Sequence, residues 1–479
     1  MSNLPKQNTT ADFSLGSFAK RSLLLLLSLS FKLIAQIVVI FVYARHLSVS
    51  DYGNYQSIWL YANVGSIIGL FGLPSLLLSI SLKNITKWIK ENKVVFFLAF
   101  ILLNLIPFVT LLFFRNQFPI NTRFLLLLLI IIQNASIIAE TIAIKAENEK
   151  LVLISNIIFN IAYLSLHIFL LYYGYSLALL LLGLAGLYLI KTIILLFHKH
   201  HYMVQENNIA TQAIGKQWLY LGLNDTVSVI SKWLDKWVIL LLLSAAQFAI
   251  YFNGSYEIPV FGLMLSAVGN IMVVELSKQR IEPIPHINAL FTNSSISLAA
   301  IVFPSFAFLL FYHTAFFTLV FSTKYISAIP VFFVSIFILP VRITNYTAVL
   351  QVHNKNNLII KGTLLDISVA IVLMAVLYPL MQMKGLALAF VLSTYLQAWY
   401  YLWATSRLIN KKISTFFPVK KLLAIMGLSI FIIGVVYFLS FKLIYPANML
   451  LGIIVCGALI LFLLYVHFKK SALLLLREE

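Results

Sequence analysis

Asn224-Asp225-Thr226-Val227-Ser228-Val229-Ile230-Ser231-Lys232-Trp233-Leu234-Asp235-Lys236 places four charged side chains inside a segment, 218–243, that otherwise has the composition of a membrane-spanning helix. At about 100° per residue, Asp225, Lys232 and Lys236 fall within about 40° of one another on a helix. Asp235 lies about 80° to one side of them. The four charges therefore form one polar stripe along the predicted helix.

The energetic cost of this stripe limits where the helix can reside. Each charged residue near the centre of a bilayer costs about 2.5 to 3.5 kcal/mol on insertion scales, so that four cost about 10 to 14 kcal/mol. The Leu, Ile and Val residues of the same segment return about 4 to 8 kcal/mol in sum. Alone, the helix should insert poorly. We expect it in a bundle with a wet interior or partner charges, and a transporter cavity is the first hypothesis.

The composition of the whole chain supports a membrane protein. The 479 residues are 61% hydrophobic and 10% charged, which is too apolar for a soluble enzyme of ordinary composition. The net charge of +19 does not indicate nucleic acid, because most Lys and Arg residues fall in alternate connections between apolar segments. This positive-inside pattern places those connections in the cytoplasm. The single cysteine, Cys456, cannot form an intrachain disulfide.

Windows of about 20 residues predict fourteen spans with both termini cytoplasmic. The first is interpreted as a retained helix, not a cleaved signal peptide. The predicted spans are 18–43, 54–80, 94–114, 124–144, 151–171, 177–197, 218–243, 248–274, 291–312, 329–350, 358–379, 385–405, 422–441 and 448–466.

The connections and motifs exclude several classes of protein. No connection is long enough for a soluble domain, and the longest predicted outer loop covers only 313–328. The sequence has no Walker loop, His-Glu-x-x-His or paired-cysteine motif. We therefore expect no ATP hydrolysis within this chain, no bound metal and no cofactor.

Two internal similarities predict a duplicated architecture. The segment 47–55 (LSVSDYGNY) matches 243–251 (LSAAQFAIY) in Leu, Ser, an aromatic residue and Tyr. A second similarity joins 146–150 to 352–356. The two offsets, 196 and 206 residues, agree to within loop variation.

The repeat defines the predicted domains. Two six-helix lobes, 1–197 and 218–405, are joined by a cytoplasmic linker, 198–217, and followed by two additional helices and a cytoplasmic tail in 406–479. Because six is even, the lobes are expected to be parallel repeats about an axis along the membrane normal, with a central cavity between them. The predicted fold class is an all-α polytopic membrane protein.

Cations within the spans are the candidate substrate-binding residues. Lys32 lies about halfway through the first span, and Arg342 lies beside Pro340 in the tenth. Together with Lys232 and Lys236 they are predicted to bind an anionic ligand in the cavity, because a buried cation requires a counterion. The alternative for Lys32 is a structural ion pair with one of the two acids of 224–236.

Acidic residues of the spans are the candidate charge-balancing groups. Asp225, Asp235, Glu257 and Asp366 are expected to neutralise the cations in the empty cavity or to carry H⁺ or Na⁺ as coupling ions. Glu140 is expected to be a solvated acid near the cytoplasmic boundary.

Helix five and helix two carry further polar and small residues. Asn156, Asn160, Tyr163 and His167 share one face of helix five within about 60°. Asn156, Asn160 and His167 are candidate contacts to sugar hydroxyls, with packing between helices as the alternative. The small residues at 65–74 predict a packing seam and no ligand.

The motifs resemble those of a known transporter family. The turn 47–55 resembles the Leu-Gly-x-x-x-Tyr-Gly-x-Tyr turn of polysaccharide-biosynthesis flippases, the Wzx-type O-antigen exporters of the multidrug/oligosaccharidyl-lipid/polysaccharide superfamily. Asp235-Lys236 followed by 248–251 is similar to the second-lobe signature of that family. Ser48 and Ala249 stand where the family often has glycine.

The resemblance implies a function without covalent chemistry. It implies that a lipid-linked oligosaccharide, carried on undecaprenyl pyrophosphate as an O-antigen or capsule repeat unit, is moved from the cytoplasmic to the outer leaflet by alternating access. It also implies a bacterial inner-membrane location, membrane lipids as partners, and a polymerase and a chain-length regulator of the same lipopolysaccharide or capsule pathway. The alternatives are a multidrug or cation exporter of the same superfamily, or a membrane glycan polymerase or ligase.

Overall fold

The fold is known from a computed structural model that describes residues 15–113, 118–197, 211–278, 284–440, 443 and 445–475. These residues form α-helices, short 3₁₀ segments and turns, with no β-strand among them. The predicted all-α class is therefore confirmed.

Nineteen α-helices and two 3₁₀ helices make up the described chain. The first nine are α1 Leu15–His46, α2 Val49–Leu70, α3 Leu73–Ser79, α4 Leu82–Glu91, α5 Lys93–Phe113, α6 Ile120–Lys145, α7 Glu149–Tyr173, α8 Leu177–Phe197 and α9 Thr211–Leu242. The remaining α-helices are α10 Ala245–Gly254, α11 Pro259–Lys278, α12 Ile284–Phe321, α13 Ile329–Ser335, α14 Ala348–Val352, α15 Asn356–Met381, α16 Met383–Ile409, α17 Ile413–Phe416, α18 Val419–Leu439 and α19 Tyr445–Leu475. The 3₁₀ helices are Thr323–Ala328 and Ile336–Val341.

Three predicted spans are broken helices. The span 54–80 bends by 49° between α2 and α3, where Phe71 and Gly72 have φ values of 43° and 73°. The span 248–274 bends by 52° between α10 and α11, ahead of Pro259 at the start of α11. The span 329–350 changes from α13 to a 3₁₀ helix that contains Pro340. Left-handed backbone and proline both interrupt the α-helical hydrogen bonds, which accounts for these breaks.

The chain is a multi-pass membrane protein. Among the described residues, nine helices are long and apolar enough to cross a membrane, and two bent pairs raise that number to eleven. Helix α9 is not one of these. Its four charges explain the difference, as expected from the insertion cost of 224–236.

The described chain divides into two compact units. Unit 1 comprises 1–46 and 58–226, and unit 2 comprises 47–57 and 227–479. The boundary at 226/227 lies inside α9 and differs from the predicted lobe boundary at 218. Of the predicted linker, 198–210 lies outside the described residues, whereas 211–217 forms the first turns of α9.

In unit 1, α1 packs on α7 and α6 packs on α8. The predicted seam of small residues in α2 is confirmed. A Cβ atom on Gly65 would lie 2.9 Å from the Ile130 side chain, and one on Gly69 would lie 2.6 Å from the Asn104 side chain. Larger residues would therefore push α5 and α6 away from α2.

In unit 2, α15 packs on α16, and the C-terminal helices α18 and α19 pack on α12. The predicted outer loop 313–328 is wrong, because α12 continues to Phe321 and a 3₁₀ helix follows it. Phe317, Phe321 and Tyr325 are buried. Their burial favours helical structure over a solvated loop.

Both sequence repeats have a structural counterpart. Ser48 and Ser244 each cap the helix that follows, accepting a hydrogen bond from the backbone N–H three residues later at 3.1 Å and 3.3 Å. In the second repeat, Glu147 and Asn354 adopt positive φ values of 60° and 54°. The next residue after each donates to a carbonyl five residues earlier, as in a Schellman turn. Each sequence repeat therefore corresponds to the same type of hydrogen-bonded structure at a helix end.

Candidate functional site

A buried ion pair occupies the core of unit 2. Lys236 Nζ lies 3.1 Å from Oδ2 and 3.4 Å from Oδ1 of Asp235. The Tyr251 hydroxyl, from the repeated segment 243–251, donates to the same Oδ2 at 2.9 Å. The exposed fractions of Asp235 and Lys236 are 0% and 6%. The two charges therefore neutralise each other and are almost inaccessible to solvent.

A second ion pair in unit 2 is open. Arg342 Nη2 lies 2.9 Å from Glu257 Oε1, and the two side chains are 28% and 38% exposed. Each residue sits at an interrupted helix. Glu257 lies in the bend between α10 and α11, and Arg342 ends the 3₁₀ helix that contains Pro340. The helix breaks therefore present one acid and one guanidinium outside regular structure.

Lys232 is the exposed cation among the predicted binding residues of unit 2. Its side chain is exposed, and it forms no ion pair with a described residue. Its ammonium interacts electrostatically with Glu257, Arg342 and Lys236. It also lies 5.5 Å from the centroid of the Trp233 ring. The predicted cations Lys232, Lys236 and Arg342 are therefore brought together in one unit.

Among the predicted acids of unit 2, Asp366 forms no ion pair with a described residue. Ser231 of α9 donates to its Oδ2 atom. Its Oδ1 atom is buried, and Ser393 supplies a second hydroxyl beside the carboxylate. The carboxylate is 96% removed from solvent, since only 4% of Asp366 is exposed. A buried carboxylate that has hydroxyl partners and no paired cation is costly to keep charged.

Unit 1 has its own charged cluster around Glu140. Lys191 Nζ of α8 lies 2.6 Å from Glu140 Oε2, with side-chain exposures of 8% and 27%. Asn156 of α7 donates to the other carboxylate oxygen at 3.0 Å, and it also donates to Ser28 Oγ of α1 at 2.7 Å. The expectation of a solvated acid at Glu140 is wrong. Side chains of α6, α7 and α8 meet at this carboxylate, which supplies acceptors to a buried lysine and a buried amide, and Asn156 extends the network to α1.

Lys32 belongs to the cluster of unit 1. Its ammonium interacts electrostatically with Glu140 and Lys191, but it forms no ion pair within 4 Å of a described acid. Within unit 1, Lys32 forms no ion pair with Asp225, so that part of the structural alternative is wrong. Asp235 is taken by Lys236, and the Asp225 side chain hydrogen bonds with Asn224 and Ser75 in unit 1. Lys32 lies near the buried face of α1 and is nevertheless exposed.

The predicted polar stripe of α9 does not act as one group. Asp225 lies in unit 1, whereas Lys232, Asp235 and Lys236 lie in unit 2. The stripe therefore contributes to two separate environments along the same helix.

The predicted sugar contacts of α7 are buried. Asn160 Nδ2 donates to the Asn156 carbonyl at 2.7 Å. His167 Nδ1 lies 2.8 Å from the Tyr163 carbonyl, and its ring is 5.2 Å from the Tyr43 ring. Contact between these residues and a sugar stays a prediction, and the partners just named show that they also join helices within unit 1.

Sequence reasoning missed Lys191. A signal was present, because Lys191 is the single charged residue of Leu177–Phe197. The same argument from insertion cost that singled out Lys32 applies to it. Among the described residues, no group of three His, Cys, Asp or Glu side chains is arranged to bind a metal ion.

Comparisons with known proteins give likenesses in fold. No protein-family model and no curated protein matches the chain. The fold is similar to the solved structure of the lipid II flippase MurJ in an inward closed conformation, with a TM-score of 0.70 and 15% sequence identity. That alignment covers 93% of this chain and 98% of MurJ. A mutant of the Vibrio cholerae MATE transporter VcmN aligns with a TM-score of 0.44 and 11% identity, covering 83% of this chain and 98% of that one. The likeness to MurJ shows a shared fold.

Proposed function

We propose that this protein is a flippase that moves an oligosaccharide linked to undecaprenyl pyrophosphate from the cytoplasmic to the outer leaflet by alternating access. The solved structure with the shared fold is named for flipping lipid II, a lipid-linked substrate. The turn 47–55 and the Asp235-Lys236 signature resemble those of Wzx-type exporters. Fold and motifs thus favour the same class of cargo.

The observation that carries this proposal is the accessible cationic group of unit 2. Lys232 is exposed, and Arg342 is 28% exposed beside one acid, Glu257. A guanidinium can bind two phosphate oxygens at once, and an ammonium supplies a further point charge. A pyrophosphate fits this pair. Lys236 contributes electrostatically from its buried position, and Lys32 offers a separate cation in unit 1 for pyrophosphate or acidic sugars.

The acids divide into two roles under this proposal. Asp235 and Glu257 each pair with a cation, and they balance charge when no substrate is bound. Asp366 has hydroxyl partners, Ser231 and Ser393, and forms no ion pair with a described residue. It is therefore the acid that we assign to coupling with H⁺ or Na⁺. Asp225, which hydrogen bonds with Ser75, is left with a structural or coupling role in unit 1.

The rival functions fit the accessible charges less well. An exporter of cationic drugs needs accessible acids in excess, whereas the accessible charged groups of the candidate site in unit 2 are Lys232, Arg342 and one acid, Glu257. A glycan polymerase or ligase needs a large outer region for its chemistry. The segment 313–328, the longest outer loop expected, is helical and contains buried aromatic residues.

The wider setting follows from the cargo. We propose the bacterial inner membrane as the location, with both termini in the cytoplasm. The product would feed an O-antigen, capsule or related surface-glycan pathway, whose polymerase and chain-length regulator are the expected partners. The protein itself would form no covalent bond with its cargo and is not an enzyme.

A reconstituted assay tests the proposal. Liposomes contain the purified protein and undecaprenyl pyrophosphate-linked oligosaccharide with a fluorophore on the glycan, and a membrane-impermeant reductant bleaches the outer leaflet. We expect the wild-type protein to expose the inner half of the label, and Lys232→Ala/Arg342→Ala to slow this at least tenfold. Lys420→Ala, which changes an exposed lysine in the first turn of α18, serves as the control. Failure of the wild-type protein to move the label would contradict the proposal.

The same liposomes test coupling and the rivals. An imposed H⁺ or Na⁺ gradient should accelerate the wild-type protein, and Asp366→Asn should remove the acceleration. Accumulation of a cationic dye without glycan movement would instead identify a drug exporter. A change in the mass of the glycan would identify an enzyme.

A further inference from the structure

Helix α4 is an amphipathic helix whose apolar side is already occupied by protein. Ile85 and Trp88 are 2% and 7% exposed and belong to one apolar cluster of unit 1. Trp88 packs at 5.6 Å against Trp218 of α9 and at 5.9 Å against Phe96 of α5. Ser81 caps the helix. The helix is therefore held in place by unit 1 and does not need a membrane or partner to fix it.

The opposite side of α4 is a row of lysines. Lys83, Lys87 and Lys90 recur at intervals of four and three residues, so that they share one face of the helix within about 60°. Lys93, at the start of α5, extends the row, and all four side chains are exposed. Glu91 is the one acid here, and its 3.9 Å contact with Lys87 is solvent-exposed and weak. The segment thus has a preformed face with a net charge of +3.

The position of this face relative to the apolar surface identifies its partner. Directly after Lys93, the residues Val94, Val95, Phe97 and Leu98 are 55% to 67% exposed. Exposed apolar surface of this extent at the start of α5, an apolar helix that the sequence predicts to span the membrane, marks the beginning of the hydrocarbon region. The four lysines consequently lie at the level of the lipid head groups. We propose that the lysine face of α4 binds the phosphate groups of anionic phospholipids.

The chemistry of recognition favours lipid over an acidic protein segment. Head-group phosphates are dense, mobile and at the right height for four ammonium groups on one face, and each such lysine contributes about fivefold in affinity for an anionic surface. The contact between Trp88 and Trp218 joins α4 to the first turns of α9 on the side of α4 away from the lysines. The lysine face belongs to unit 1, and the inference does not depend on the proposed function.

The test measures retained lipid on the full chain. The purified protein in detergent is mixed with dioleoyl phosphatidylglycerol or dioleoyl phosphatidylcholine, and bound lipid is counted by native mass spectrometry. The test variant is Lys83→Gln/Lys87→Gln/Lys90→Gln/Lys93→Gln. The matched control is Lys411→Gln/Lys412→Gln/Lys420→Gln/Lys421→Gln, which removes the same charge from other exposed lysines.

We expect the wild-type protein and the control to bind phosphatidylglycerol with affinities within threefold of each other, and the test variant to lose at least tenfold. Replacing the same four lysines with arginine should preserve binding. Equal losses in the test variant and the control would overturn the inference, because charge alone would then explain binding. Equal binding of the two lipids, or capture of an acidic peptide in preference to phosphatidylglycerol, would also overturn it. If the fourfold variant does not fold, Lys83→Gln/Lys87→Gln and Lys90→Gln/Lys93→Gln are compared separately, each with an expected loss of at least threefold.

Discussion

The charged clusters of unit 1 and unit 2 differ in how far their charged side chains are buried and paired. In unit 1, Glu140 is shared between a buried lysine, Lys191, and the amide of Asn156, while Lys32 stays exposed close by. In unit 2, the carboxylate of Asp235 is fully buried and is taken by adjacent groups of the same unit. Unit 1 therefore has a second cation, Lys32, near Glu140 in addition to the paired Lys191.

Unit 2 instead separates closed charges from open ones. Lys236 is buried with its acid, but Lys232, one turn earlier on α9, is exposed, and Arg342 meets Glu257 where both are partly solvated. Lys232 and Lys236 thus share one face of α9, but the first is exposed and the second is buried in an ion pair. Burial and pairing, more than position on the helix, separate a structural cation from a ligand-binding one.

The largest effect is expected for the closed pair of unit 2. Asp235→Ala leaves Lys236 buried without its counterion and Tyr251 without its acceptor, so the free energy of unfolding should fall by about 3 to 5 kcal/mol. Unfolding of the purified protein in detergent measures this. Asp235→Ala/Lys236→Met should recover most of the loss. A double variant as unstable as the single one would show that the pair is not the cause.

A smaller loss is expected for the corresponding pair of unit 1. Lys191→Met removes the counterion of Glu140, but Lys32 is in electrostatic reach and Asn156 still donates to the carboxylate. The free energy of unfolding should fall by about 1 to 3 kcal/mol, less than for Asp235→Ala. Adding Lys32→Met should increase the loss by at least 1 kcal/mol. If the losses of the two single variants simply add in the double variant, Lys32 does not compensate for the missing Lys191, and this interpretation is contradicted.

The open pair should affect transport more than stability. Arg342→Ala is expected to slow glycan movement at least tenfold, since a fork of donors to phosphate is lost. The free energy of unfolding should change by no more than about 1 kcal/mol, because the pair is partly solvated. Arg342→Lys should restore part of the rate. If Arg342→Ala lowers stability as well as transport, Arg342 has a structural role like that of the buried ion pairs.

The smallest effect is expected where a salt bridge is fully solvated. Lys87 and Glu91 are 68% and 44% exposed and 3.9 Å apart. Lys87→Ala should change the free energy of unfolding by less than about 0.5 kcal/mol. The same unfolding measurement in detergent gives the baseline for the three comparisons above. A change above about 1 kcal/mol would contradict the ordering of these effects by burial.

Sequence reasoning found much of the fold because its signals are local. Apolar length predicted the helices, and the repeated serines at 48 and 244 cap equivalent helices. The breaks were less visible, since Phe71 has no sequence signature for its positive φ value. Proline at 340 was noted, but not that a 3₁₀ helix would form there.

The partners of the charges were harder to predict than their positions. Helical periodicity fixes which residues share a face, but not which helix packs against that face. Glu140 therefore resembled an interfacial acid until α8 supplied Lys191, and Asp225 resembled a neighbour of Lys232 although the two belong to different units. Tertiary packing decides both cases.

The most direct test of the proposed function is the leaflet in which lipid-linked glycan accumulates in cells depleted of this protein. A membrane-impermeant glycan-modifying enzyme added to spheroplasts reports the outer leaflet. We predict that depletion, or replacement by Lys232→Ala/Arg342→Ala, leaves the glycan in the cytoplasmic leaflet, whereas wild-type protein and Lys420→Ala restore it to the outer leaflet. Glycan that reaches the outer leaflet at the normal rate without this protein would contradict the proposal.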